Sequence, residues 1–87
     1  MTRRYGGQCG SDVGQLCFPS HMAVDEDSQF IYVADCFNDR VVLLSSTLEF
    51  VRYVSEKLSL PNRLHLNHTT RRLYVAQYLG NVVVIHL

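Results

Sequence analysis

Charged residues are scarce in this sequence, at 18% of its 87 positions, against roughly 25% in an ordinary soluble domain. What charge there is cancels, with eight basic and eight acidic side chains, so no net field draws the chain towards nucleic acid. Long apolar runs are missing too. The longest aliphatic stretches, Val41 to Leu44 and Val82 to Ile85, are four residues each, where a membrane helix needs about 20. Residues 1–20 lack the apolar segment of a secretory signal. No two cysteines lie close together: Cys9, Cys17 and Cys36 stand well apart along the chain, which fits neither a zinc site nor a redox pair. Reduced thiols in a cytoplasmic setting are therefore expected. There is no phosphate-cradling glycine loop, nucleophile elbow or paired helical Glu/His motif. Disorder is excluded as well, because 47% of the residues are hydrophobic.

What is present is a repeat. Set over itself at an offset of 42, the chain aligns residues 19–45 with 61–87 without a gap, giving 27 columns. Six columns are identical: Pro19/Pro61, Tyr32/Tyr74, Val33/Val75, Ala34/Ala76, Val41/Val83 and Val42/Val84. A period near 40–45 with several strands per unit is the signature of a propeller blade. The apolar positions alternate or run continuously, and β-branched and aromatic residues dominate them, so strands are expected. The first unit reads as strands over about residues 21–25, 30–35, 40–45 and 50–54, the second as strands over about 63–67, 72–77 and 81–86. Turn residues separate them: Asp25 to Ser28, Asp35 to Asp39, and Ser45 to Thr47. Pro19 and Pro61 stand just before each unit's first strand, where a missing amide proton harms no ladder. Asn67-His68-Thr69 has the form of a glycosylation acceptor but reads as a turn.

The run Tyr5-Gly6-Gly7, Gly10, Gly14-Gln15-Leu16, Pro19, Met22-Ala23-Val24-Asp25, Ile31-Tyr32-Val33-Ala34-Asp35, Asn38 and Arg40-Val41-Val42 resembles an NHL repeat. The match covers nearly all of residues 5–54. Residues 60–87 keep Leu73-Tyr74-Val75-Ala76 but carry Gln77, Gly80 and Val82 where the motif has Asp, Asn and Arg. The resemblance implies an all-β fold of two consecutive antiparallel blades, of about four and three strands, from a six-bladed propeller. Such propellers often end tripartite-motif ubiquitin ligases. Residues 1–12 would then be the end of a preceding blade's outer strand plus a linker, residues 13–57 one blade, and residues 58–87 a terminal blade lacking its outer strand. The remaining blades would be needed to complete the fold.

Candidate chemistry is sparse. Asp35, Asn38 and Arg40 form the most motif-like polar cluster. Asx turn chemistry assigns Asp35 and Asn38 to the amides of their own turn, with Arg40 on a nearby carboxylate. Of the histidines, His65 and His68 should lie on opposite faces, while His21 and His65 are polar groups near the inner strands; none makes a metal site without further ligands. Ser20 and His21 are strand neighbours and should point apart. Charge divides unevenly, −3 over residues 1–44 and +3 over residues 45–87. Asp25-Glu26-Asp27 and Arg71-Arg72 occupy nearly the same turn of successive units, so a surface pairing is expected, worth roughly 0–1 kcal/mol per pair.

Loops expected at the opposite end of the blades carry Arg3, Phe37, Asn38, Arg63, Tyr78 and Asn81, besides Arg4, Lys57 and Asn62. Arginine mixed with aromatics suits a protein hot spot and also stacking on unpaired RNA bases. The leading expectation is a non-enzymatic scaffold module that binds a protein, including the substrate of an attached ubiquitin ligase, with Arg63, Phe37 and Tyr78 foremost. No cofactor, metal or membrane enters this reading. The alternative is single-stranded RNA on the same face, against which net neutrality and the single lysine, Lys57, both count. A propeller lyase or lactonase is a distant third, because only His21 and His65 qualify as inner-strand ligands.

Overall fold

The computed structural model describes all 87 residues. Seven strands follow in order: β1 (Pro19–Val24), β2 (Ile31–Asp35), β3 (Arg40–Leu44), β4 (Phe50–Ser55), β5 (Pro61–Asn67), β6 (Arg72–Gln77) and β7 (Val82–His86). They form two antiparallel sheets, ordered β1-β2-β3-β4 and β5-β6-β7. A short 3-10 turn, Cys36–Asn38, joins β2 to β3. No helix is long and apolar enough to cross a membrane.

The strands form where β-branched and aromatic residues meet turn chemistry. Asp25 shows the turn at work: its carboxylate accepts the Asp27 amide at 3.1 Å, and its backbone amide closes on the Phe30 carbonyl at 2.8 Å. Alternation then sorts the side chains between faces. Tyr32, Ala34, Val41 and Leu43 of the first sheet pack on Leu64, Leu66, Leu73 and Val75 of the second, with Val83 and Ile85 partly buried against them. The other face of the first sheet, Val33, Val42 and Leu44, is covered by Tyr5, Leu16, Leu48, Phe50 and Tyr53. Continuous burial of β3 on both faces follows.

The repeat extends to backbone detail. A bulge interrupts β1 between Pro19 and His21, and its counterpart interrupts β5 between Pro61 and Arg63. Phe18 and Leu60 share a left-handed backbone, φ 57° and 50°, as do Gln29 and Arg71, φ 64° and 55°. The Cys36 amide meets the Phe18 carbonyl, and the Tyr78 amide meets the Leu60 carbonyl. One shared unit is built twice.

Two expectations are corrected. First, the offset of 42 does not hold through β7. Val33 lies opposite Val42, whereas Val75 lies opposite Val83 rather than Val84. The physical reason is a tighter turn: the Gln77 amide closes directly on the Asn81 carbonyl, and the Gly80 amide on Gln77. Gly80 supplies the φ of 102° that this turn requires. Shifting by one residue exchanges faces, so Val82 and Val84 point outward, 62% and 42% exposed. Residues 1–18, ahead of β1, form no strand within this chain. They cross the first sheet as a loop whose polar groups bond side chains. Second, Cys9 and Cys17 are joined in a disulfide, and only Cys36 is free. Their spacing in the sequence does not reveal that the loop doubles back and brings the two Cα atoms to 4.4 Å.

Candidate functional site

The motif-like cluster is a structural clamp. Asp35, fully buried, accepts the Arg40 Nε at 2.8 Å and the Asn38 amide at 2.8 Å on Oδ2. Its Oδ1 accepts the backbone amide of Cys17 at 2.7 Å. Arg40 uses its remaining nitrogens on the carbonyls of Ser11 and Gln15, at 2.8 and 3.0 Å, and lies 4.5 Å from the centre of the Tyr53 ring. Asn38 also donates to the Gly10 carbonyl at 2.7 Å. The amides and carbonyls served therefore belong to the loop of residues 10–17, not to the turn that carries Asp35. A buried charge pair tolerates burial only with this degree of satisfaction. Asn38 is thus spent on the fold.

The second unit solves the same problem without charge. The Gln77 Oε1 accepts the amide of Ser59, the repeat counterpart of Cys17, and its Nε2 donates to the Asn81 side chain. Asp39 reaches across to accept the Leu60 amide at 2.9 Å. Asn81 therefore braces its own turn.

The turn pairing between units is present but differs from a surface bridge. Arg71 donates to the Asp25 carboxylate at 2.8 Å, and that carboxylate is 6% exposed. Arg71 first, helped by the Asp27 amide and Ser28, holds the Asp25 carboxyl below its ordinary 3.8 against burial, which pushes it up. Arg72 takes no part in an ion pair. His68 places Nδ1 3.7 Å from Asp25, too far for a hydrogen bond.

The histidines separate as well. His21 Nδ1 accepts the Leu64 amide at 3.1 Å, and Ser20 Oγ donates to the Pro61 carbonyl at 3.0 Å. Adjacent strand residues normally point apart, but the bulge turns both towards β5. These two bonds stitch β1 to β5, and nothing in the residue types announced them. No group of three or more His, Cys, Asp and Glu side chains is gathered for a metal. Burial, with the nearby charges of Asp39 and Asp35, pushes the Cys36 thiol up.

The other four expected binding residues fall in three places. Phe37 and Tyr78, 60% and 70% exposed, line one groove of about 390 Å³ with Phe18, Cys36, Leu60 and Asn62. Phe18 stacks on Phe37 with ring centres 4.9 Å apart. Arg63 lies elsewhere, in a hollow of about 340 Å³ with His21, His65 and Tyr74. Arg3 sits beside Arg4 and Tyr5 at a third hollow, against Leu16, Met22 and Ile31. Only Phe37 and Tyr78 of the foremost three are brought together. Phe18, which joins them, escaped the sequence reading, although its position just before Pro19, matched by Leu60 before Pro61, was the available signal. Neither a protein-family model nor a curated protein matches the chain.

Proposed function

We propose that the chain is a non-enzymatic binding module, two adjacent blades of an NHL-type β-propeller, and that it holds a protein partner in the groove lined by Phe18, Phe37, Leu60 and Tyr78. The observation that carries this reading is the concentration of exposed aromatics at one end of the sheets, where the two units meet. Phe18 and Leu60 are held there in left-handed backbone by both copies of the repeat, and strain of this kind collects at functional sites. Aromatics seated around a shallow apolar floor are the usual centre of a protein hot spot. Recruitment of a ligase substrate is the specific role that the NHL resemblance suggests.

The reading is tested by placing a photo-crosslinking amino acid at position 37 of the full chain in cells, with the outer-strand position 51 as control. Covalent capture of one protein's peptides at 37 and not at 51 supports it. Capture of RNA at 37, or equal labelling at both positions, overturns it.

A further inference from the structure

We propose that the outward face of the β5-β6-β7 sheet takes the first sheet of a second copy of this chain, head to tail, so that copies close into one ring of blades. This rests on the two-blade reading and supplies its next blade. The interface inside the chain carries the case. There, Tyr32 and Ala34 with their ladder partners Leu43 and Val41 pack on Leu64 and Leu66 with theirs, Val75 and Leu73. The repeat presents both halves of this contact a second time. Tyr74 and Ala76, with partners Val84 and Val82, hold the positions of the first half on the outward face of the second sheet. Met22 and Val24, with partners Val33 and Ile31, hold the positions of the second half on the far face of the first sheet. Met22, Val24, Val82 and Val84 are all exposed. Two unlike, complementary faces on one molecule make a heterologous contact, which closes into a ring where the rotation permits. Propellers have roughly 4–8 blades, so two-blade units would complete one with about two to four copies.

The polar contacts across the internal boundary have counterparts too. Ser20 donates to the Pro61 carbonyl; its counterpart Asn62 carries an amide able to donate to the Pro19 carbonyl of the next copy. Arg71 donates to Asp25, and the counterparts of that pair are Gln29 and Asn67, an amide donor and an amide acceptor. Gln29 even shares the left-handed backbone of Arg71. An ion pair within the chain becomes a neutral amide pair between chains. One stitch does not repeat. His21 accepts the Leu64 amide, whereas its counterpart Arg63 has no acceptor to offer the Met22 amide. The contact between copies is therefore the internal interface less one bond.

The test is sedimentation of the full 87-residue chain over a wide concentration range. The expected result is a reversible equilibrium between monomer and one closed species of about two to four copies. Val82→Asp puts an unpaired charge into the contact and should weaken assembly at least about tenfold. Leu79→Asp, at a still more exposed position in the turn after β6, leaves it unchanged. Amide spectra should show both variants folded like the parent. Direction is read by crosslinking: Met22→Cys and Ala76→Cys chains, mixed with a short bismaleimide, should join to each other and not to themselves, Cys36 being buried in both. A monomer at every concentration, growth without limit, self-joining of either cysteine variant, or assembly that survives Val82→Asp overturns the proposal. Amide exchange on the same samples separates the two possible failures. A monomer whose β6 amides stay protected together with those of β2 ends the ring and leaves the two-blade reading standing, whereas β6 opening alone ends both. Crosslinking at position 37 reads the aromatic groove independently of either.

Discussion

At the scale of single residues, the clamp of Asp35 and Arg40 decides how the first unit holds its preceding loop. Asp35→Asn removes the charge that balances a guanidinium 6% exposed. Breaking one member of such a pair costs about 3–5 kcal/mol, to be read as a lowered urea midpoint. Gln77 accepts the equivalent amide while neutral and pairs with no cation, so Gln77→Glu in the second unit buries an unpaired charge and should also lower stability. Asp25 makes the second residue-scale prediction. Its folded pKa lies below the unfolded value because of Arg71, so the stability it contributes is complete above that unfolded value. It is lost as pH falls through the depressed folded value. Arg71→Gln should flatten that acid limb of the stability curve, and an unchanged limb would contradict the assignment. Changing both Arg71 and Arg72 to Glu should lower stability while leaving partner capture in the aromatic groove intact.

At the scale of elements, the strands were legible because residues such as Ile31-Tyr32-Val33-Ala34 and Leu73-Tyr74-Val75-Ala76 alternate between two faces and end in Asx or glycine turns. The register of β7 was not. Its valines match at either offset, and the choice rests on how tightly the Tyr78 to Asn81 turn closes, a backbone property that residue identity signals only through Gly80. Nor was the path of residues 1–18 legible, since its bonds run to Asp35, Asn38 and Arg40 far along the chain. For the same reason the aromatic pair Phe37 and Tyr78 was found, whereas Arg63 was placed with them although a bulge turns it into another hollow. Gly80→Ala tests the turn: φ of 102° suits no side chain, though the space beside it is open. The expected loss is about 1–2 kcal/mol, with the largest shift changes in β7. A neutral substitution would mean that the turn is built differently.

At the scale of the whole molecule, the radius of gyration is 12.2 Å, close to the roughly 12 Å of a compact chain this long. The larger core is one apolar layer shared by the two sheets, with a smaller cluster on the other face of the first sheet. Leu73, fully buried within the layer, should cost about 2–5 kcal/mol when cut to Ala, and the loss should be felt in both halves. The most direct measurement is native-state amide hydrogen exchange of the full chain. The account predicts that the slowest amides of β2, β3 and β6 share one opening free energy, within about 1 kcal/mol, while residues 1–8 exchange freely. If β6 exchanges through an opening that leaves β2 and β3 protected, the sheets are independent and the shared layer is not what holds the molecule together.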